Sequence, residues 1–455
     1  MESLIIIGAG LVGTALSIYL KKRGYRVTVY ERSEDVRATL KSTRPSVNLT
    51  LCERGLCGLD RIGLRQIVER ASVPAYGRFI HHWDGEMVYQ PYGREDQALY
   101  SISRNELNSV LLNAAEENGV RIVFSTRCLD IDLGTGEVRL EDASGHSWGE
   151  TPTCAFAADG CFSTVRSRLQ RKERFDYSQH YSTQGYCELH IPADVPGLSA
   201  LPRNGLHLWP RLGHMLITFP NRDGSLTCSL HLPFEGQPSY RSLSGESELL
   251  ELFNADFSNL VPLIPNLSTQ FFEQRPNTML TIRCSPWSFE DKVLLIGDSA
   301  HAILPSYGQG ANVGFEDCAI LDEIVGRYAP DWKRVFTAFE QARKPEIEIV
   351  ADLCYEHFVE LQKSTLDATF QLRRRLERRL HELFPSRFAT LYSMITFTSM
   401  PFSEAMKIDR EQQKVIDKLV RYPNIADRLE QKDSQLWLEK MIHDSRPSQL
   451  SLSRL

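Results

Sequence analysis

Cysteine is scarce in this sequence, and its spacing excludes several classes of protein. There are 10 cysteines among 455 residues, and no two are spaced Cys-x-x-Cys. Disulfide-stapled scaffolds are much denser in cysteine, and zinc ribbons and thioredoxin-like redox pairs require that spacing. We therefore expect reduced thiols in a cytoplasmic protein. We also predict no metal site, because the adjacent His81 and His82 lie in a predicted strand and point to opposite faces.

An excess of positive charge is also missing. The net charge is −6 and the isoelectric point is about 6.1, whereas a nucleic-acid scaffold needs a basic excess or a basic face. The hydrophobic content of 42% and the charged content of 24% are ordinary for globular proteins. We therefore expect a globular enzyme of several domains, with no nucleic-acid partner.

Long uncharged runs are rare, and one of them imitates a membrane segment. Residues 3–20 carry no charge, but they contain three glycines and open with β-branched isoleucines. A strand, a glycine turn and a helix explain these features better than a spanning helix does. No comparable run follows residue 400, so we predict no spanning segment. The C-terminal Ser453-Arg454-Leu455 resembles a peroxisomal Ser-Lys-Leu signal, which keeps the peroxisome as a minor alternative to the cytoplasm.

The same N-terminal stretch carries a dinucleotide-binding pattern. An apolar strand over residues 4–7 leads into Gly8-Ala9-Gly10-Leu11-Val12-Gly13, a helix follows, and a second strand ends at Glu31. In this pattern Gly8 permits the tight turn, Gly10 lets a pyrophosphate approach the backbone, and Gly13 lets helix and strand pack closely. Glu31 can accept hydrogen bonds from the hydroxyls of an adenosine ribose. The pattern alone leaves NAD, NADP and FAD open.

Two later strands end in acidic turns, and a glycine turn follows them. One apolar run ends at Asp159-Gly160, and another ends at Gly297-Asp298. The turn from Gly308 to Asn312 then opens a predicted helix. With three such motifs in this order, the chain resembles the FAD-dependent aromatic hydroxylases, the group A flavoprotein monooxygenases.

That resemblance implies a set of residues around FAD. Asp298 would hold a ribityl hydroxyl, and the helix after Gly310 would direct its N-terminal amides at the N1–C2 edge of the flavin. Arg104 matches a family arginine beside the FAD, and Arg44 is a weaker candidate for the same surroundings. The predicted cofactor-binding residues are Gly8, Gly10, Gly13, Glu31, Arg44, Arg104, Asp159, Asp298, Gly308, Gly310, Ala311 and Asn312.

A closer resemblance, from the N-terminus to about residue 410, is to the kynurenine 3-monooxygenase family. It implies that FAD, NADPH and O2 serve to hydroxylate L-kynurenine at ring position 3, through a flavin C4a-hydroperoxide. The cofactor carries the difficult chemistry, so we predict no catalytic side chain. By this resemblance Arg78 and Tyr92 bind the carboxylate of the substrate. The matching phrases are Ser46-Val47-Asn48-Leu49, Gln90-Pro91-Tyr92-Gly93-Arg94, Tyr100-Ser101-Ile102-Ser103-Arg104 and Tyr392-Ser393-Met394-Ile395-Thr396-Phe397.

Two predicted substrate-binding positions depart from the family pattern. Phe402 stands where the family has a second carboxylate-binding tyrosine, and His357 stands where it has an asparagine that contacts substrate. Losing one hydrogen bond to a charged group costs on the order of 1.5–3 kcal/mol. The alternative is therefore a related flavin hydroxylase acting on another ortho-amino aromatic in secondary metabolism. A non-catalytic FAD-binding protein is a rival of another class.

These predictions define an α/β architecture. A Rossmann-type FAD-binding domain is expected from 1–70, 98–175 and 278–330, interleaved with an antiparallel-sheet substrate domain from 71–97 and 176–277. Residues 331–455 are expected to form a C-terminal helical region. Within it Leu372, Leu376, Leu380 and Leu383 recur at helical spacing, opposite a run of arginines. A solvated basic face is the first interpretation, and a docking face for a membrane or partner is the second.

Overall fold

The N-terminal motif folds as the strand, glycine turn, helix and strand that the sequence predicts. In the computed structural model the first strand spans Ser3–Ile7, the helix Leu11–Lys22 and the second strand Arg26–Tyr30. The structure describes residues 2–39, 46–363, 368–429, 431 and 433–443. Met1–Tyr355 form a first unit and Glu356–Leu455 a second. The division into three domains stays a prediction.

All strands of the described residues belong to the first unit. In chain order they are β1 (Ser3–Ile7), β2 (Arg26–Tyr30), β3 (Asn48–Leu51), β4 (Val73–Ala75), β5 (Gly77–His81), β6 (Met87–Pro91), β7 (Leu99–Ser103), β8 (Arg121–Val123), β9 (Thr126–Ile131), β10 (Val138–Asp142), β11 (Ser147–Glu150), β12 (Cys154–Ala157), β13 (Asp176–Ile191), β14 (Gly205–Arg211), β15 (His214–Pro220), β16 (Leu226–Pro233), β17 (Asn277–Ser285), β18 (Ser288–Phe289) and β19 (Val293–Leu295).

The helices of the described residues occur in both units. In chain order they are α1 (Leu11–Lys22), α2 (Val36–Thr39), α3 (Glu53–Asp60), α4 (Arg65–Ala71), α5 (Arg104–Glu117), α6 (Thr164–Leu169), α7 (Glu246–Asp256), α8 (Leu267–Phe272), α9 (Asp298–His301), α10 (Gly310–Tyr328), α11 (Trp332–Lys363), α12 (Ala368–Leu383), α13 (Leu391–Thr396), α14 (Phe402–Val420), α15 (Ile425–Leu429) and α16 (Ser434–His443). None of them is long and apolar enough to cross a bilayer.

The dinucleotide motif lies in a six-stranded sheet of order β18-β19-β12-β1-β2-β8. Its strands run parallel except for the short edge strand β18. The inner strands are short apolar runs, as expected for a sheet covered on both faces. Because the carboxyl ends of parallel strands share one edge, Gly8, Glu31, Asp159 and Gly297 come together there. The predicted α/β fold class is confirmed.

A second, seven-stranded sheet has the order β17-β13-β16-β15-β14-β5-β6 and is antiparallel except between β14 and β5. One of its faces packs against α7 and α8 in a closed apolar core. The largest contributors from strands and helices are Cys187, Trp209, Leu216, Leu230, Phe253 and Phe271. Two three-stranded sheets, β11-β10-β9 and β3-β7-β4, complete the first unit.

The second unit is helical in its described residues. Leu376 and Leu380 of α12 are fully buried among side chains of α14, α15 and α16. The leucine stripe predicted from the sequence therefore forms the core of this unit. On the other side of α12, Arg373 pairs with Asp417 at 2.5 Å and Arg374 with Glu360 at 2.9 Å.

Candidate active site

A cavity of about 1090 Å³ opens at the carboxyl edge of the six-stranded sheet. That volume is slightly above the usual range of ligand pockets, roughly 300–1,000 Å³. The wall brings together predicted cofactor-binding residues from four separate parts of the chain, namely Gly8, Gly10, Glu31, Arg104, Asp159 and Asp298.

The glycine turn is shaped for close approach of backbone to ligand. A Cβ on Gly13 would lie 2.0 Å from the Gly8 carbonyl oxygen, so this position requires glycine for helix and strand to pack. A Cβ on Gly10 would have no atom within 4 Å, so the backbone at Gly10 is open to the cavity. Glu31 accepts hydrogen bonds from the backbone N–H groups of Ala9 and Ser33, both at 2.8 Å. These bonds fix the carboxylate at the cavity edge.

The two acidic turns differ in what their carboxylates do. Asp159 accepts a hydrogen bond from the Thr164 backbone N–H at 2.8 Å and another from Ser299 Oγ at 3.0 Å. Ser299 in turn accepts from the Gly160 backbone N–H at 2.9 Å. Asp159 therefore ties the two turns together, whereas Asp298 is exposed in the cavity wall. Asp298 is the acid that a ligand hydroxyl can reach.

The amino-terminal turns of α5 supply a cation and an amide to the same cavity. Arg104 begins the helix and is exposed in the wall. Burial raises the pKa of the Cys161 thiol; Asp298 raises it further and Arg104 opposes this, so both charges lie near that thiol. One turn along the helix, Asn108 Oδ1 is buried without a hydrogen-bond partner. We did not predict Asn108, although its i+4 spacing from Arg104 puts it on the same helix face.

The glycine turn after Pro305 has a structural task of its own. Gly308 has φ +64°, and α10 begins at Gly310, so the backbone N–H groups of 310–312 lack intrahelical acceptors. The Asn312 side chain donates to the carbonyls of Thr50 (2.9 Å) and Gly308 (2.8 Å) and accepts from the Cys52 N–H (3.0 Å). Residues 308–312 are not among the described wall residues of the cavity.

The donors and acceptors of this cavity suit an FAD molecule. The backbone amides at the N-terminus of α1 suit a pyrophosphate, and the Glu31 carboxylate suits the hydroxyls of a ribose. The amide oxygen of Asn108, which has no hydrogen-bond partner, can accept a hydrogen bond from a ligand. Arg44, the weaker candidate, lies outside the described residues. Among the described residues, no three His, Cys, Asp or Glu side chains are grouped as a metal ion would require.

The predicted carboxylate-binding pair lies at one end of the seven-stranded sheet. Arg78 in β5 donates from Nε to Gln90 Oε1 across to β6 at 3.2 Å, which orients the guanidinium plane. Tyr92 follows β6, and burial raises the pKa of its phenol to about 12 while the nearby Arg78 charge opposes this. The structure thus brings Arg78 and Tyr92 together, with the phenol protonated at neutral pH.

The strand register defines what else shares a face with Arg78. Leu206 is its partner in β14, and Leu208 pairs with Ile217 in β15. Since paired residues project to the same side, these side chains and Met215 lie on one face, which we call the Arg78 face. It is opposite the closed core under α7 and α8. Half-buried Met215 and Ile217 give it an apolar middle.

The other two predicted substrate positions belong to the second unit. His357 lies half-buried in α11, and Phe402 is fully buried where α14 begins. Their assignment to the substrate stays a prediction. His301, interpreted from the sequence as structural, donates from Nε2 to Asp317 Oδ2 at 2.6 Å in a buried pair.

The fold and the cavity define an FAD-binding flavoprotein. A family model described as an FAD binding domain matches residues 1–326. The chain is also similar to 2-methyl-3-hydroxypyridine-5-carboxylic acid oxygenase, with a TM-score of 0.64 and 20% identity over 82% of this chain and 95% of that one. PqsL of Pseudomonas aeruginosa in complex with 2-aminobenzoylacetate gives a TM-score of 0.63 and 19% identity, covering 80% and 97%. At these identities the two structures establish a shared fold.

Curated relatives are much closer in sequence. Kynurenine 3-monooxygenase of Flavobacterium johnsoniae is 39% identical over 421 residues, covering 92% of this chain and 94% of the relative. The kynurenine 3-monooxygenase of Myxococcus xanthus is also 39% identical over 421 residues, covering 92% and 90%. The chain belongs to the FAD-dependent flavoprotein hydroxylases, in the kynurenine 3-monooxygenase family.

Proposed function

We propose that this protein hydroxylates L-kynurenine at ring position 3, with FAD as its bound cofactor and NADPH and O2 as co-substrates. The observation that carries the proposal is the adjacency of Arg78 and Tyr92 beside the apolar side chains in the middle of the Arg78 face. Relatives named kynurenine 3-monooxygenase over nearly the whole chain support it. We also propose a cytoplasmic location, since all ten cysteines are free thiols.

The charged end and the apolar middle of the Arg78 face suit different parts of an aromatic amino acid. The Arg78 guanidinium offers a bidentate fork to a carboxylate, and the protonated Tyr92 phenol adds a directional hydrogen bond. Met215 and Ile217 then offer an apolar surface on which a ring can lie. This order of charged end and apolar middle matches a substrate with its carboxylate at one end and its ring at the other.

The cofactor cavity would hold FAD through the glycine turn, Glu31, Arg104 and Asp298. Bound flavin supplies the activation of O2 that amino-acid side chains cannot provide. The protein's own part is to orient the substrate ring and to exclude water. The sequence carries a single dinucleotide motif, so we propose that NADPH docks transiently on the surface.

A second candidate is a hydroxylase of another ortho-amino aromatic. Phe402 favours it, because this fully buried ring replaces a hydroxyl that the family uses for the carboxylate of kynurenine. The two candidates share FAD, NADPH and ring hydroxylation, and they differ in what the Arg78 end must hold.

The direct test uses the purified holoenzyme. NADPH oxidation is recorded with and without L-kynurenine, and the product is identified by mass and by comparison with authentic 3-hydroxykynurenine. We expect substrate-stimulated oxidation and the gain of one oxygen. NADPH oxidation without any oxygenated kynurenine would reject the proposal, and product from 2-aminobenzoylacetate alone would favour the second candidate.

Arg78 provides the sharper test of the pocket. We expect Arg78→Ala to weaken kynurenine binding by about 2–4 kcal/mol, because the substrate carboxylate loses its charged partner, while flavin content stays unchanged. Arg241→Ala is the matched control, since Arg241 is an exposed arginine whose partner Glu235 is exposed as well. Equal affinity in Arg78→Ala and wild type would remove Arg78 from the site.

A further inference from the structure

A buried polar cluster lies on the Arg78 face, at the opposite end of the sheet from Arg78. Glu188 of β13 is the cross-strand partner of Ser229 in β16, and Tyr186 is the partner of His231. Ser229 is in turn paired with Ile217 on the apolar middle of this face. Three strand spacings separate β16 from β5, which is about 14 Å. The arginine side chain and a substrate of kynurenine's length can cover that span together.

A neighbour of the cluster, Tyr186, is near an arginine of the cofactor cavity. The Tyr186 ring stacks on His231 with ring centroids 5.6 Å apart. Burial raises the pKa of the Tyr186 phenol, and the charge of Arg104 in the cavity wall lowers it, so Tyr186 lies within reach of Arg104. The cluster therefore lies at the end of the Arg78 face where Tyr186 comes near Arg104.

Three side chains of the cluster form a chain of hydrogen bonds with open ends. Ser229 Oγ lies 3.2 Å from Glu188 Oε1 and 3.3 Å from His231 Nε2. Glu188 and His231 are more than nine-tenths buried, yet Glu188 Oε2 and His231 Nδ1 have no hydrogen-bond partner. Buried polar atoms in native proteins are nearly always paired, so these two atoms indicate groups that arrive with a ligand.

The protonation states of the three side chains determine which hydrogen-bonding groups the ligand must have. Burial keeps Glu188 protonated and His231 neutral at pH 7. A serine hydroxyl has one proton, so Ser229 donates to one neighbour and accepts from the other. If it donates to Glu188, His231 Nδ1 accepts and Glu188 Oε2 donates; if it donates to His231, both roles reverse. In either state the open ends are one donor and one acceptor.

We propose that Glu188, Ser229 and His231 determine specificity for a substrate ring that carries a hydrogen-bond donor next to an acceptor, such as an amine ortho to a ketone. This inference rests on the proposed function and deepens it, because it assigns recognition of the ring substituents rather than of the carboxylate. Gln274, which follows α8, supports the arrangement, since its Nε2 donates to the Glu188 carbonyl at 2.7 Å and its Oε1 accepts from the Glu188 N–H at 3.2 Å.

The test compares two ligands on the holoenzyme. Dissociation constants for L-kynurenine and for the same amino acid without its ring amine are measured from the perturbation of the flavin spectrum. We expect wild type to prefer the ring amine by about tenfold or more, since the analogue leaves a buried acceptor unpaired. In Ser229→Ala, Glu188→Met and His231→Phe, which remove the donors and acceptors of the cluster, this preference should fall below about threefold.

His190→Gln is the matched control, because His190 is on the same face two residues beyond Glu188 and pairs with Thr227 outside the cluster. Flavin content and thermal unfolding show that each variant is folded. An unchanged preference in Ser229→Ala, or no preference in wild type, would overturn the inference. The same comparison with 2-aminoacetophenone and acetophenone tests the ring subsite even if wild type produces no 3-hydroxykynurenine, the outcome that rejects the proposed function instead.

Discussion

The first unit contains two buried polar clusters that are built on opposite principles. In one, each carboxylate oxygen of Asp317 and Glu316 has an arginine or histidine partner. Asp317 contacts His301 at 2.6 Å and Arg343 at 2.7 Å, while Glu316 contacts Arg343 at 2.7 Å and also Arg54. We call this set of ion pairs the sealed network. It joins α3, α9, α10 and α11.

The other cluster, formed by Glu188, Ser229 and His231, is neutral and has an unpartnered atom at each end. Buried charges are tolerated when every group is paired, whereas a buried polar atom left alone costs about 1–3 kcal/mol. The difference in pairing between the two clusters indicates that buried polar groups serve two purposes in this molecule. The sealed network fixes the helices around the cofactor turns, and the open-ended cluster is available to a ligand.

The largest expected effect comes from breaking the sealed network. Asp317→Ala should destabilise the protein by about 3–5 kcal/mol, because the buried Arg343 would keep its place without this counter-charge and His301 would lose its hydrogen-bond partner. Although burial alone would raise it, His301 and Arg343 hold the pKa of the Asp317 carboxyl below its usual value. Its stabilisation is therefore complete above the unfolded pKa and lost as the pH falls through the lower folded value.

Chemical denaturation of the variant and wild type measures this loss. Asp322→Ala is the control, because Asp322 pairs with Arg23 near the surface, where such pairs contribute about 1 kcal/mol or less. Equal losses in the two variants would mean that the sealed network contributes no more than a surface pair, and the comparison would fail.

Glu188→Gln should produce a smaller effect that depends on pH. Burial raises the pKa of the Glu188 carboxyl from 4.5 to about 8, and the Ser229 hydrogen bond opposes the rise. The unfolded chain releases this proton above pH 4.5 while the folded chain keeps it, so the stabilisation is full below pH 4.5 and lost as the pH rises through 8. Between pH 6.5 and 8 wild type should lose about 2 kcal/mol that Glu188→Gln does not lose.

The titratable groups around Glu188 do not change their protonation between pH 6.5 and 8, so they do not contribute to this difference. Burial raises the pKa of Tyr186 and Cys228, raises that of Cys187 to about 12, and lowers that of His231 to about 4. The His231 contribution is complete above pH 6.5 and is lost only as the pH falls through about 4. Parallel stability curves for Glu188→Gln and wild type from pH 6.5 to 8.5 would show that Glu188 is ionised in the folded protein.

These two clusters also show how far sequence reasoning reaches. The β1–α1–β2 unit was predictable because its signal is local: an apolar run, three glycines at fixed spacing, and Glu31 at the end of the next strand. Asp298 was found through a strand-ending motif and a family resemblance. Such motifs are short segments whose chemistry does not depend on distant register.

The open-ended cluster could not be predicted in this way. Alternation along β13 and β16 indicates which residues share a face, but only the register of pairing puts Ser229 opposite Glu188, 41 positions earlier in the chain. Arg343 and Asp317 similarly meet only because α10 packs near α11. Arg78 and Tyr92 came from resemblance alone, since nothing in their local sequence indicates a carboxylate site.

The smallest expected effect separates ligand binding from stability. Without substrate, Ser229→Ala should lower the free energy of unfolding by about 1–2 kcal/mol, because the two lost hydrogen bonds are long but Glu188 Oε1 and His231 Nε2 lose the Ser229 hydroxyl as a partner. Saturating L-kynurenine should raise the Tm of wild type more than that of the variant. A tenfold weaker Kd removes about 1.4 kcal/mol of ligand stabilisation at the same substrate concentration.

Thermal unfolding with and without substrate measures both quantities in one experiment, and His190→Gln serves again as control. A Ser229→Ala protein that loses several kcal/mol without ligand, and then shows the full wild-type shift with it, would place Ser229 among structural residues. The open-ended cluster would then be a second sealed network completed by water. A variant that loses no more than about 2 kcal/mol without ligand, and that shows a reduced ligand shift, is the result that the inference predicts.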